Sequence, residues 1–429
     1  MTVTATQPKN PAAAPPTDPR ERLRVARQLP RWSELRELLQ LRRPTLSAVE
    51  RRLEAALSIG DLRAVAVRTT PRAVFDYVDG AADAELTARR NTEAFAAVEL
   101  VPEYLSPVDR PDLSTRVFGR QISMPLIFAP TGYTRMMHHE GEAAVARVAA
   151  RHGLPYTLST VGTSTVEDVA AAAPGSEHWF QLYLTRDERL NAELLDRALA
   201  AGFTTVVLTV DTPVAARHLK DIRNGLTIPP SLTLRTLLGM ARYPSWVLNK
   251  LTTAPITFAS LSSMSGGTID AVRVPDVVFE PTLNYRHLEW LRAHWPHQIL
   301  VKGILSPRNA RRAIEAGADG VVVSNHGGRQ LDRTPATLSV LPAIRDELGP
   351  DATVILDSGV RHGQDIIAAV ALGADAVMIG RAYLYGLMAG GERGVERAVT
   401  ILREEYVRSL QLLGLGSTTA IARHHVRVP

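Results

Sequence analysis

"GVVVSNHGGRQLD", residues 320–332, begins as one kind of sequence and ends as another. Gly320 to Val323 is apolar and β-branched, the composition of a strand buried on both faces, as the strands of parallel sheets are. Ser324 to Asp332 then brings a hydroxyl, an amide, an imidazole, a glycine pair, a guanidinium and a carboxylate. A buried strand that ends in a burst of polar chemistry is the unit from which (β/α)8 barrels build their active sites. The same pattern recurs at "MPLIFAP" (124–130), "PYTLST" (155–160), "HWFQLY" (178–183), "TTVVLTVD" (204–211), "QILVKG" (298–303), "TVILDSG" (353–359) and "AVMIGR" (376–381).

Amphipathic, Ala-rich helical patterns separate most of these runs, as in "EGEAAVARVAARHG" (140–153), "ERLNAELLDRALAAG" (188–202), "PRNARRAIEAGA" (307–318) and "GQDIIAAVALGA" (363–374). Several close on glycine, the residue favoured just past a helix C-terminus. Eight strands alternating with helices predict a parallel sheet, and eight is the number that closes a (β/α)8 TIM barrel. An open doubly wound sheet is the runner-up, disfavoured because no G-x-G-x-x-G follows the first strand. The plan is a disordered tail at 1–19, an N-terminal helical segment at 20–115 and a barrel at 116–429. Residues 212–284 form a long excursion after the fourth strand, and a loop of that length in a compact domain reads as a lid or a contact surface.

Composition bounds the function. The chain has 429 residues, of which 45% are apolar and 22% charged, ordinary values for a soluble globular protein with a large core. It has no cysteine, which excludes disulfides, iron–sulfur ligation and thiolate zinc sites and suits a reducing compartment. The net charge of +5 and pI near 9.6 come from arginines scattered among acids, without a basic run interleaved with aromatics, so no nucleic-acid partner is expected. A basic surface that favours anionic substrates is the simpler reading. No stretch reaches the roughly 18 consecutive apolar residues of a membrane-spanning helix. Residues 1–19 lack the apolar core of a signal peptide, so a cytoplasmic location is expected.

Nearly every predicted strand ends in chemistry: Thr131, Ser159, Gln181 with Tyr183, Thr209 with Asp211, Lys302, Ser324 with His326 and Arg329, Asp357, and Gly380 with Arg381. One such residue reads as a satisfied structural group, but a whole succession does not, because buried polar groups cost free energy unless paired. Gly-containing turns followed by arginines after the last two strands suit a phosphate. His326 is a proton acceptor, Asp211 its orienting partner, Lys302 a fixed positive charge, and Arg329 a fork for a carboxylate. No metal-ligand spacing and no Cys or Ser nucleophile motif is present. A phosphate-bearing organic cofactor is therefore the economical expectation.

"SNHGGRQLD" (324–332), with "VKG" (301–303), "FQLY" (180–183), "LTVDTP" (208–213), "APTG" (129–132), "LDSGVRHG" (356–363) and "FDYVDGAADAELT" (75–87), resembles the FMN-dependent 2-hydroxy-acid-oxidising family of glycolate oxidase, lactate oxidase, mandelate dehydrogenase and bacterial L-lactate dehydrogenase. "LSTV" (158–161), "LDSG" and "RAYLYGLMAGGE" (381–392) look most like the lactate dehydrogenase branch. The resemblance implies FMN as cofactor and His326 as the base that takes a proton from the substrate hydroxyl or Cα, with Asp211 as its partner. It implies that Arg329 binds the substrate carboxylate, that Tyr77 and Tyr183 place hydroxyls around substrate, and that Lys302 faces the flavin where negative charge gathers on reduction. Ala129, Pro130, Thr131 and Gly132, with Ser159, Gln181, Thr209 and Ser324, would line the isoalloxazine and ribityl chain. Asp357, Ser358, Gly359, Val360, Arg361, Gly380 and Arg381 would hold its phosphate end.

One position departs from the family. Its second carboxylate-pairing arginine, three residues before the Asp of the "RDxRNG" stretch, is His218 here, within "VAARHLKDIRNG" (214–225), and Arg217 stands just before it. His218 when protonated, or Arg217 swinging inward, is expected to replace the missing charge. The expected reaction is oxidation of a small L-2-hydroxy acid, L-lactate first, to the 2-oxo acid, with electrons passed to a quinone or other acceptor. An oxidase that reduces dioxygen to hydrogen peroxide is the alternative. Isomerisation of a phosphorylated substrate and a flavin-storing protein without turnover stand further off. "YPSWVLNKL" (243–251) reads as a packed lid, and also as a contact with a membrane surface or quinone through 235–265, which would place the protein peripherally on the inner face of the cell membrane. The resemblance implies a homotetramer.

Overall fold

The structure, a computed structural model, describes residues 29, 31–38, 47–225, 239–262 and 280–428. The chain divides into two compact units, Met1–Leu46 and Ser47–Pro429. In the first, the described residues form the short helix Trp32–Leu38, and the expected tail at 1–19 lies outside the described residues.

Eight parallel strands close into a barrel: β1 (Leu126–Phe128), β2 (Tyr156–Ser159), β3 (His178–Leu182), β4 (Thr205–Thr209), β5 (Gln298–Ile304), β6 (Gly320–Val323), β7 (Thr353–Asp357) and β8 (Ala376–Ile379). Each pairs with the next, and β8 returns to β1 through Val377↔Leu126, Met378↔Ile127 and Ile379↔Phe128. The period-2 geometry of a strand sorts their side chains into two cores. Ile127, Val207, Leu300, Val322, Ile355 and Met378 fill the barrel interior. Phe128, Val206, Val321, Leu356 and Ile379 face outward into the larger core shared with the surrounding helices.

The barrel is stoppered by a feature no sequence pattern announced. Thr115–Val117 and Arg120–Ile122 form an antiparallel hairpin directly before β1 and send Val117 and Ile122 into the interior core. Its loop, Phe118–Gly119, has φ of +51° and +74°, the doubly left-handed geometry of a type I′ turn. The hairpin leads into the N-terminal end of β1, so it closes the end of the barrel opposite the polar strand ends.

Helices Ala48–Ala55, Ile59–Thr69, Arg72–Asp79 and Leu86–Ala96 precede the barrel in the same compact unit. Ser58 opens the second of them with a capping box, accepting from the Asp61 N–H at 3.1 Å. Arg72–Asp79 and Leu86–Ala96 reach the mouth. Asn91 and Asn325 exchange reciprocal amide hydrogen bonds of 2.8 Å, and Asp332 accepts from the Thr87 and Ala84 N–H groups. Asn325 and Asp332, within the polar burst that follows β6, are therefore structural glue rather than chemistry.

Gly328 shows how tight that joint is. Its φ is +77°, and a Cβ there would stand 2.6 Å from the Ala88 backbone nitrogen. Gly225 has a left-handed φ of +64° but open space around it. Alanine at Gly225 should cost about 1 kcal/mol of backbone strain, and alanine at Gly328 that plus about 1–3 kcal/mol of overpacking. Thermal unfolding of the two variants checks the ranking, and equal melting temperatures would contradict it.

The excursion after β4 contributes helices Leu219–Asn224, Pro244–Leu251 and Ala259–Ser262 among the described residues. The first of these latches onto the pre-barrel helices. Asn224 Nδ2 donates to Asp76 Oδ2 at 2.8 Å, Lys220 Nζ lies 3.0 Å from Glu85 Oε2, and the Asp83 N–H donates to the Arg217 carbonyl. The Trp246 indole donates to the Met136 carbonyl at 3.2 Å, which seats the "YPSWVLNKL" helix beside the mouth. No helix among the described residues is long and apolar enough to cross a membrane.

Candidate active site

A cavity of about 300 Å³ opens at the C-terminal ends of the strands. Every site residue expected from sequence lines it except Asp211, Ser324 and Arg217. Asp211 and Ser324 stand just behind the wall, bonded to residues that form it. Arg217 is a correction: its side chain is exposed and outside the cavity, and only its backbone carbonyl is engaged, by Asp83.

His326 has a φ of +57°, a left-handed conformation that a non-glycine residue adopts only when its surroundings impose it. Its N–H donates to Ser324 Oγ at 3.0 Å, and its Nδ1 donates to Asp211 Oδ1 at 3.0 Å. A carboxylate can only accept, so Nδ1 carries the hydrogen and Nε2 keeps its lone pair. Burial alone would raise the Asp211 carboxyl, but the adjoining His326 and the Lys302 charge outweigh it and hold it below the usual carboxylate range.

Lys302 is 3% exposed, and its Nζ contacts Ser324 Oγ at 3.1 Å and Asp357 Oδ2 at 3.3 Å. Its aim depends on a bulge in β5. The β5–β6 register shifts between Lys302 and Ile304, with Gly303 between them at φ +110°, where a Cβ would sit 2.7 Å from that of Asp211. Only glycine lets the strand end and the base's partner share that space.

Arg329 Nη1 donates to the carbonyls of Tyr77 and Gly80, at 2.5 and 3.1 Å, and its guanidinium lies 4.9 Å from the Tyr77 ring centre. Burial pushes the hydroxyls of Tyr77 and Tyr183 above the ordinary tyrosine range, so both remain protonated donors. His218 lines the cavity, but not as the expected cation. Burial and the Arg329 charge push it down to about 4, and its Nε2 donates to the Arg329 carbonyl at 2.9 Å. Its protonated form is thus disfavoured by burial first, and further by the very arginine it was expected to assist.

At the other end of the cavity, Arg381 Nε, Nη1 and Nη2 donate to the carbonyls of Val78, Gly327 and Gly80. It is pushed down to about 10 by burial and by the Arg329 and Arg361 charges, a crowd of cations that an anion would relieve. Gly380 caps the helix Arg381–Leu413 without a side-chain hydrogen bond, leaving its first N–H groups available. Deeper in the wall, Gln181 Nε2 and Thr209 Oγ1 are buried without a partner. Unpaired polar groups beside a buried ammonium, with arginines and a helix N-terminus at the far end, suit a ligand with a hydrogen-bonding ring and a phosphate.

Residues 66–428 match the family described as FMN-dependent dehydrogenase. The chain belongs to that family. FMN is its cofactor, and the donor set just described fits it: Lys302, Gln181 and Thr209 could hold the ring, and the Gly/Arg turns the phosphate. The chain is 46% identical over 402 residues to a putative L-lactate dehydrogenase of Mycobacterium tuberculosis, covering 94% of this chain and 96% of the relative. It is 40% identical to an L-lactate dehydrogenase of Pseudomonas aeruginosa, covering 84% and 96%. Among solved structures, a monotopic membrane (S)-mandelate dehydrogenase superposes with a TM-score of 0.84 at 35% identity, covering 87% of this chain and all of that one. A mandelate oxidase superposes with a TM-score of 0.73 at 34% identity, covering 87% and 99%. The (β/α)8 barrel is thus common to dehydrogenases and oxidases of this family.

The cavity of this FMN-dependent dehydrogenase has walls that strand-end reasoning missed. Tyr133, Met137, Val161 and Phe258 line it, and the Phe258 ring meets Tyr133 edge-on at 4.5 Å. Tyr383 supports the 129–132 turn, its hydroxyl bonding to Thr131 Oγ1 at 2.6 Å and to the Ala129 carbonyl at 3.1 Å. Tyr133, directly after "APTG", is legible in hindsight as the next residue of a functional loop. Phe258 lies in the excursion, where no period or motif marks it.

Proposed function

We propose that this protein oxidises a small L-2-hydroxy acid, with L-lactate the leading substrate, to the 2-oxo acid and passes the electrons to a quinone or another acceptor. The observation that carries the reading is the convergence, in one cavity, of the His326–Asp211 pair, the Arg329 fork and a set of groups that fits FMN. Bound FMN supplies the two-electron acceptor. His326 Nε2 takes the proton that leaves the substrate hydroxyl or Cα, and the Asp211 carboxylate stabilises the imidazolium that results. Arg329 pairs with the substrate carboxylate, and the Tyr77 and Tyr183 hydroxyls orient it. Ala129, Pro130, Thr131, Gly132, Ser159, Gln181, Thr209 and Ser324 would surround the ring and ribityl chain, with Lys302 as the fixed cation that would face the ring. Asp357, Ser358, Gly359, Val360, Arg361, Gly380 and Arg381 would hold the phosphate end.

Contact with a quinone or membrane surface is supported by the helix Pro244–Leu251, on which Leu248 and Leu251 are 61% and 79% exposed. The protein would then sit on the inner face of the cell membrane as a homotetramer, with 212–284 as its lid-like contact segment. The chemical core of the reading is tested first. Chromophore released by denaturation should chromatograph as FMN, and anaerobic L-lactate should bleach the flavin band of the holoenzyme. Release of FAD, or a flavin that stays oxidised under lactate, would sink it.

A further inference from the structure

His218 precedes the helix Leu219–Asn224, and among the described residues it and His326 are the histidines that line the cavity. With Nε2–H committed to the Arg329 carbonyl, its Nδ1 presents a lone pair. That lone pair faces Asp221 Oδ2 at 3.5 Å, three residues further along. The second oxygen, Asp221 Oδ1, is buried without a partner. The two side chains are 22% and 14% exposed, so water is a poor substitute for a mutual contact. Arg329, His326 and Arg381 face His218, and Arg329, Lys220, Asp76 and Glu85 face Asp221. Lys220 is also held by Glu85, and Asp76 by Asn224, so neither is a dedicated partner for Asp221. A neutral imidazole and an ionised carboxylate would here oppose lone pair to lone pair, a contact that a single hydrogen converts into a hydrogen bond.

We propose that His218 and Asp221 hold one proton between them and act as a single positioning unit behind Arg329, electrically neutral until that proton leaves on the alkaline side. Burial raises the Asp221 carboxyl above its ordinary range against the opposing pull of the Arg329 and Lys220 charges, and burial with the Arg329 charge lowers His218, so the proton the pair holds resides nearer the carboxylate. While the pair is neutral, Arg329 offers its whole charge to an incoming anion. Once the proton leaves, the pair becomes an anion beside Arg329 and competes with the substrate carboxylate for it. His218 thus does not replace a missing cation. It makes the charge that Arg329 offers conditional on pH.

This inference rests on Arg329 as the carboxylate anchor, and the sign of the effect follows from it. Loss of one proton from the free enzyme makes kcat/KM for L-lactate fall about tenfold per pH unit on the alkaline side. Tyr77 and Tyr183 are pushed above the ordinary tyrosine range and ionise later. Asp221→Asn keeps a hydrogen-bond donor beside Nδ1 and has no proton to lose, so it should abolish that limb. His218→Arg pairs a permanent cation with Asp221, and should abolish the limb and lower KM about tenfold. Both profiles are measured on the holoenzyme with an artificial dye as acceptor. An alkaline limb as steep in Asp221→Asn as in wild type overturns the pair while leaving the substrate reading intact, provided lactate bleaches the flavin. If lactate fails to bleach it, the substrate reading falls and the pair is judged by nitrogen-15 NMR. The His218 ring signal, assigned by its loss in His218→Gln, should titrate in wild type and not in Asp221→Asn. A signal indifferent to Asp221→Asn overturns the pair whatever the substrate.

Discussion

His326→Ala should all but stop flavin reduction by L-lactate, a loss toward the upper end of the ~10²–10⁴-fold that a positioned general base contributes. The upper end is expected because the geometry commits several groups to this one imidazole. Asp211 fixes its tautomer, Ser324 holds its backbone N–H, and its left-handed φ of +57° stores strain for the sake of its position. Alanine leaves Lys302, Gln181 and Thr209 in place, so FMN should stay bound with a nearly unchanged oxidised spectrum. Asp211→Asn should lose less, because the base survives while the imidazolium loses its counter-charge. The check is stopped-flow reduction under anaerobic conditions. A rate for His326→Ala within about tenfold of wild type would remove His326 from the mechanism.

The barrel was legible because its strands are buried on both faces. Gly320–Val323, Thr205–Thr209 and Ala376–Ile379 consist almost wholly of residues that have no business at a surface, and each is followed by residues that do chemistry. The closing hairpin was not legible, since three-residue strands around Phe118–Gly119 carry too little periodicity to stand out. Residues in the mouth divide by the same logic. Lys302, His326, Arg329 and Arg381 could be read because a cation or a base at the end of a buried strand demands a purpose. Tyr133, Val161 and Phe258 could not, because an apolar or aromatic residue satisfies packing wherever it falls. His218 shows a subtler limit: the sequence marks it as a departure but cannot say whether its imidazole is charged. That depends on burial of the ring in the mouth, and then on Arg329, more than a hundred residues away in the chain, being close enough in space to disfavour its protonation further.

Arg329→Ala is expected to show the other large effect, and to show it selectively. An anion held by a guanidinium fork gains about 1.5–3 kcal/mol per charge-assisted hydrogen bond. Losing the fork should therefore cost about 3–4 kcal/mol, a fall of roughly 10²–10³ in kcat/KM for L-lactate. The same side chain also staples Arg72–Asp79 to the mouth through the carbonyls of Tyr77 and Gly80, so a fall by itself is ambiguous. Lactamide separates the two roles, because it has the shape of lactate without the charge. Loosening of the staple should reduce turnover of both compounds, by about tenfold for the amide, whereas loss of the anion anchor touches lactate alone. The lactate-to-lactamide ratio should collapse by most of the 10²–10³ in Arg329→Ala. It should recover only partly in Arg329→Lys, which restores the charge but not the planar fork. If both substrates fall by the same factor and the ratio survives, Arg329 is a structural staple, and the carboxylate is bound elsewhere in the cavity.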